Sequence, residues 1–285
     1  MERLNRESFK NFFSLKQSAR LAFHFCLFLF FFVYLFPTLI IILISLFLYE
    51  REKGFSLSFS SFLTLFLNLG FLRILFRTLT LSAFSSFFTV ITSVILCYLM
   101  VISFKKKLVG WIVVILSFPL WTNLLVRIIP FVILINFFGA ENWLLGGNFA
   151  IFISFIYLFF PLVFATVFSG VSAINPALIE ASLDLGGSKQ FTFFHLVIPQ
   201  LFSTIKSSFM IMFSSSISTL LVSNYVGENK VVLFSDLINW FFFRQSDFRL
   251  VAASALTLWF SSWIVIFMFT LFSDRRKEGK LPWIL

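Results

Sequence analysis

The chain alternates long apolar stretches with short polar breaks. A bilayer core of roughly 30 Å takes about 20 apolar residues in helical form. Six stretches reach that length, at about Ala22–Leu48, Ile74–Ile102, Leu108–Ile128, Asn148–Ser172, Ile198–Val222 and Leu250–Ser273. The pattern predicts an all-α polytopic membrane protein with six transmembrane helices. A tail over 1–21 precedes the membrane domain at 22–273, and a tail over 274–285 follows it. Between spans, Phe55–Phe62 reads F-S-L-S-F-S-S-F, which fits an outer strand or an interfacial segment. Phe131–Phe138 follows Pro130 and is too short to span, so a re-entrant or interfacial hairpin up to Gly139 is expected. The hydropathy pattern has no second internal copy, so a two-fold core needs a second chain.

Composition supports the same class. The chain is 60% hydrophobic and 12% charged, with a mean hydropathy of +1.01. Soluble domains run at roughly 45–50% apolar and 25% charged, so a soluble enzyme, a disordered chain and a disulfide scaffold are excluded. The 47 Phe residues have no fixed spacing, which fits general apolar filling better than an aromatic cage.

The net charge of +10 changes the picture only through topology; no nucleic-acid partner is expected. Arg3, Arg6, Lys10, Lys16 and Arg20 crowd the N-terminal tail, and Arg275, Arg276, Lys277 and Lys280 crowd the C-terminal tail. Lys105, Lys106 and Lys107 mark the turn after the second span, and Lys189 and Lys206 flank the start of the fifth. Basic residues collect on the cytoplasmic side, so both termini are expected in the cytoplasm of a multi-pass inner-membrane protein. The first apolar stretch is too long for a signal peptide.

Candidate chemistry inside the spans is sparse. Cys26 and Cys97 lack any metal or disulfide spacing, and His24 and His195 are far apart. Arg127 and Lys206 lie near span ends and are expected to snorkel. No carboxylate lies at mid-depth, which argues against a proton-coupled carrier. An intramembrane enzyme would need a nucleophile–base pair or facing metal ligands, and the sequence offers neither.

The loop at 173–197 is different. Asn175 suits a helix N-cap and Pro176 the first helical position. Glu180 and Asp184 share a face, among the small residues Ala177, Ala181 and Ser182. Gly186 and Gly187 supply positive φ to end the helix. A second short amphipathic helix is expected from about Ser188 to His195, ended by Pro199. Together they predict a protruding cytoplasmic knob, or, read as a bare loop helix, one lying on the membrane.

The spacing of that loop resembles the signature E-A-A-x3-G-x9-I-x-L-P of ABC importer permeases. Here it reads Glu180-Ala181-Ser182, then Gly186, then Leu196-x-Ile198-Pro199. Ser182, Leu196 and Ile198 depart from the pattern and stay close in size or polarity. Further stretches resemble spermidine/putrescine permeases of the PotB type. These are Pro119-Leu120-Trp121-Thr122-Asn123 followed by Arg127, and Leu221-Val222-Ser223-Asn224-Tyr225-Val226-Gly227. Asn224 stands where that family often has an acid.

The resemblance implies a type I ABC importer permease of the MetI-like fold. It implies docking of an ATPase subunit on Glu180, Ala181, Ser182, Asp184, Gly186, Gly187 and Lys189. The implied machine has two ATPase subunits, a second permease chain in a heterodimer, and a periplasmic or lipid-anchored binding protein. Its cargo would be a small cationic solute, a polyamine. The chain has no G-x4-GK[ST] loop, so no cofactor is expected on it, and ATP and Mg belong to the partner ATPase. Trp121, Asn123, Asn224, Tyr225, Asp236 and Trp240 are candidates for the solute path, with Asp247 as a further cation attractor. Each aromatic also fits an interfacial anchor, and Asp236 and Asp247 also fit solvated pairs with Arg244 and Arg249. A permease for thiamine, iron or an organophosphonate, and a non-transporting scaffold, remain as alternatives.

Overall fold

The computed structural model describes residues 22–50, 54–57, 59–138, 145–228 and 230–278. The basic N-terminal tail and the chain beyond 278 lie outside the described residues, as does Gly139. Among the described residues, five helices are long and apolar enough to cross a membrane, and one bent pair makes a sixth crossing if its two helices are one broken span.

Helix α1 (Ala22–Leu46) is followed by a two-stranded antiparallel hairpin, β1 (Phe47–Glu50) and β2 (Gly54–Leu57). The first span therefore stops short of the expected Leu48, and the strand expected near Phe55 forms over Gly54–Leu57. Helix α2 (Ser60–Leu67) then leads through Asn68 into α3 (Leu69–Ser103). Asn68 caps α3 by accepting from Gly70 N–H at 2.9 Å.

The expected straight third span does not form. Helix α4 (Lys106–Trp121) ends in a 3₁₀ turn, and α5 (Leu124–Phe137) leaves it at 104°. The isolated hairpin expected over Phe131–Phe138 is instead the second half of α5, which runs on through Pro130. Helix α6 (Asn148–Ser172) forms with the expected limits.

Helix α7 (Pro176–Asp184) follows, then α8 (Lys189–Ile217). Pro199 does not end a separate short helix. A π-helical turn at Phe193–Val197 lets α8 continue, with Ile198 N–H donating to Phe193 O. A proline ring normally strikes the carbonyl four residues back, and the wider π turn moves that carbonyl aside. The same device precedes Pro37 in α1, where Phe31–Leu35 forms a π turn. The fifth span ends at Ile217, short of the expected Val222, and α9 (Leu221–Tyr225) is a separate piece. Helices α10 (Phe234–Trp240) and α11 (Phe248–Glu278) complete the chain.

The core lies where α3, α6 and α8 meet. Phe155, Leu158, Val163, Phe164 and Val167 of α6 are fully buried against Val90, Val94 and Cys97 of α3 and Met212 and Phe213 of α8. Apolar burial does not drive helix association inside lipid; close packing does. Helix α3 supplies it with a buried face of Thr78, Ser82, Ser85, Ser86, Thr89 and Ser93. Most of these hydroxyls return to their own helix, as Thr89 does to Ser85 O at 2.7 Å. Helix α1 is almost wholly exposed and packs along α11.

Candidate functional site

The loop between α6 and α8 folds as a compact helix–turn–helix knob. Asn175 caps α7, accepting from Ala177 N–H at 3.1 Å, and Pro176 fills the first helical position. The far end closes as a Schellman motif. Gly187 N–H donates to Ser182 O at 3.0 Å and Gly186 N–H to Leu183 O at 3.0 Å. Gly186 holds φ at +84°, which L side chains rarely adopt, yet a Cβ there would meet nothing within 4 Å. A Cβ on Gly187 would lie 2.5 Å from Ser182 O, so that glycine is required by close approach. Ser188 then caps α8, accepting from Phe191 N–H at 3.1 Å.

The knob brings all seven expected docking residues into one short segment. Glu180, Ala181, Asp184, Gly186 and Lys189 are exposed, while Ser182 and Gly187 are half-buried. A groove of about 680 Å³ opens between the two limbs, lined by Ala181, Ser182, Gly186, Gly187, Leu185 and Phe191, among others. Leu185 stands 89% exposed at the tip. Leu185 and Phe191 were not among the expected residues. Leu185 lies directly before the left-handed Gly186, in the turn that closes α7. The knob thus ends in an exposed apolar tip beside an open groove, with the exposed acids Glu180 and Asp184 on the same helix.

The stretch from Pro119 to Arg127 builds the elbow between α4 and α5. Thr122 Oγ1 returns to Pro119 O at 2.8 Å, and Asn123 caps α5 through Leu125 N–H at 3.2 Å. Arg127 does not snorkel. It donates to Leu158 O at 2.6 Å in the middle of α6, and Phe131 stacks on Tyr157 beside it at 4.7 Å. Thr122 and Asn123 thus make the bend, Arg127 ties α5 to α6, and Trp121 is left 89% exposed. Loss of a cap costs about 1 kcal/mol. Asn123→Ala should therefore lower the detergent melting temperature by a few degrees, about 2–4 °C per kcal/mol at this size, as read by fluorescence-detected gel filtration.

At the end of α3 away from the knob, the loop between α8 and α11 is tied down. Arg77 donates to Val232 O, and Phe234 N–H donates to Thr78 Oγ1 at 2.9 Å. Asp236 accepts from Leu233 N–H at 2.7 Å and lies within electrostatic reach of Arg77. Burial pushes its carboxyl pKa up, while the nearby Ser223 hydroxyl, the Leu233 N–H and the Arg77 charge act the other way. Asp236 Oδ1 and Ser223 Oγ nonetheless stay buried without a hydrogen bond. Asp247 caps α11, accepting from Arg249 and Leu250 N–H, each at 3.1 Å. Among the described residues, neither acid forms an ion pair with Arg244 or Arg249, the solvated pairing that one expectation offered. Asn224, Tyr225 and Trp240 are exposed. Among the described residues, the six expected path residues make no hydrogen bond or ring contact with one another. A groove of about 450 Å³ lies nearby, lined by Ser214 of α8 and Ser218 just after it, Ile238 of α10, and Trp259, Ser262 and Trp263 of α11, among others.

Residues 93–278 match the family described as the binding-protein-dependent transport system inner membrane component. The chain belongs to that family. Its relatives include the spermidine/putrescine transport system permease protein PotB of Salmonella typhimurium strain LT2, 26% identical over 166 residues. That alignment covers 54% of this chain and 58% of the relative. PotB of Escherichia coli K12 is 28% identical over 153 residues, covering 49% of this chain and 56% of the relative. The chain thus spans little more than half the length of these relatives. A putative ferric transport system permease protein of Haemophilus influenzae is 30% identical over 138 residues, covering 47% of this chain and 20% of that protein. In fold, the chain matches a crystal structure of a bacterial ABC transporter involved in the import of the acidic polysaccharide alginate. The TM-score is 0.70 at 16% identity, over 93% of this chain and 99% of that one. The family's matched region takes in the core helices α6 and α8, the knob between them and the end of α3 that meets it.

Proposed function

We propose that this chain is the membrane permease of an ATP-driven, binding-protein-dependent importer for polyamines. The observation that carries the reading is the knob. A Schellman-closed helix with an exposed apolar tip runs straight into a spanning helix, so a partner seated on it can act on that span. In this reading the partner is an ATPase, two copies per machine, and a second permease chain completes the pathway. An external binding protein delivers the solute. The knob, and with it both termini, lies on the cytoplasmic side, where Lys105 to Lys107 also fall. ATP and Mg are handled by the ATPase, and this chain provides the path.

Polyamine as cargo is supported by the relatives and by the aromatic faces of Tyr225, Trp240, Trp259 and Trp263, since ammonium groups are attracted to aromatic rings. The acids give it less support, because Asp236 and Asp247 are engaged in caps. The ferric relative favours iron as the second reading. Uptake of radiolabelled spermidine and putrescine into cells lacking the gene, with and without the chain restored, tests this. Restoration should return spermidine uptake, with competition by putrescine and none by thiamine, ferric iron or an organophosphonate. Restored iron uptake without spermidine uptake would assign the cargo to the second reading.

A further inference from the structure

The knob is joined to two spans through three hydroxyl groups. Its second limb is the first turn of α8, and that helix runs unbroken from Lys189 to Ile217. Tyr98, buried near the end of α3, donates its hydroxyl to Lys189 O at 2.6 Å. Its ring packs on Phe193 at a centroid distance of 4.7 Å. Ser182 Oγ and Thr192 Oγ1 lie 2.9 Å apart, tying α7 to α8, and Thr192 is fully buried. Ser182 is the position where the chain departs from the second alanine of the E-A-A pattern. Here its extra oxygen has a partner.

We propose that Tyr98 and Thr192 are positioning residues that make the knob move as one piece with α3 and α8. The proposal rests on the ATPase-docking reading above. A docked partner displaces the knob, and that displacement reaches both spans only if the joints do not give. With a compliant joint, the ATPase closes and hydrolyses ATP while the spans lag. The two side chains to be varied lie outside the docking set, whereas their partners, Ser182 Oγ and Lys189 O, belong to it. Tyr98 is buried, and Thr192 faces inward to Ser182.

The test uses the whole complex, purified through a tag on this chain and reconstituted with its binding protein in proteoliposomes. The readout is radiolabelled spermidine imported per ATP hydrolysed. Tyr98→Phe keeps the ring and removes the donor. Thr192→Val keeps the shape and strands Ser182 Oγ. Each should lower the ratio about fivefold, the factor that corresponds to one hydrogen bond of about 1 kcal/mol, with ATPase activity retained. Thr192→Ser keeps a hydroxyl and should restore the wild-type ratio. An unchanged ratio in Tyr98→Phe and Thr192→Val would overturn the proposal. So would a parallel loss of ATPase and uptake, which marks mere unfolding, or a Thr192→Ser variant that behaves like Thr192→Val. Failure of the docking reading looks different: the wild-type chain would purify without an ATPase, and both readings would fall.

Discussion

Replacing Gly186 by asparagine or aspartate is expected to cut solute uptake at least about 30-fold, the effect of losing a hot-spot contact of about 2 kcal/mol. The amount of chain in the membrane should stay near normal. Two facts separate docking from folding here. A side chain at Gly186 would enter open space, since nothing lies within 4 Å of a Cβ. Asparagine and aspartate also adopt left-handed backbone at modest cost, so the turn at φ +84° survives. In the proposed docking, the new side chain would occupy the gap that the ATPase fills. Uptake by membrane vesicles, normalised to immunoblotted chain, checks the prediction. Uptake near wild type in either variant would remove Gly186 from the docking surface.

Asp236→Ala is expected to lower stability by about 1–2 kcal/mol, the loss of the acceptor that caps α10 at Leu233 N–H. Asp236→Asn keeps an acceptor for Leu233 N–H and should cost less. If Asp236 met the cationic solute, both variants would raise the apparent KM for spermidine. With its carboxylate engaged by Leu233 N–H, the expected result is an unchanged KM and a smaller folded fraction for Ala. The pH response is a second check. Burial raises the folded-state pKa of Asp236, so its charged form costs stability. Its contribution is then more favourable at low pH and declines as pH rises from the ordinary carboxylate range into the range above it. Asp236→Asn should remove that component from a plot of melting temperature against pH.

The sequence carried the class and the knob because both rest on local rules. Asn175-Pro176 at one end of α7 and Gly186-Gly187 at the other are a cap and a Schellman turn whatever surrounds them. Apolar length fixed Asn148–Ser172 to the residue. Places where the reading missed depend on packing. Hydropathy across 108–128 shows no break, since Trp121, Thr122 and Asn123 are too few to interrupt it, so the 104° bend was hidden. Arg127 reads as a snorkelling residue until α6 is seen to present Leu158 O beside it. Pro199 reads as a stop, and only the π turn at Phe193–Val197 carries the helix past it. Tyr98 gave no signal, because its partner lies 91 positions away. Asp236 and Asp247 looked available for a cation because sequence shows a charge without showing the N–H groups it caps.

The most direct test of the account places a cysteine at the knob's tip. In a chain with Cys26 and Cys97 replaced by alanine, Leu185→Cys should cross-link to an ATP-hydrolysing subunit of the membrane-extracted complex through a short bismaleimide. Trp121→Cys, equally exposed at the elbow, should not. The account predicts one cross-linked product from position 185, identified as an ATPase by mass spectrometry, and none from position 121. An ATPase cross-linked at 121 and not at 185, or an ATPase that co-purifies and cross-links at neither, would contradict it.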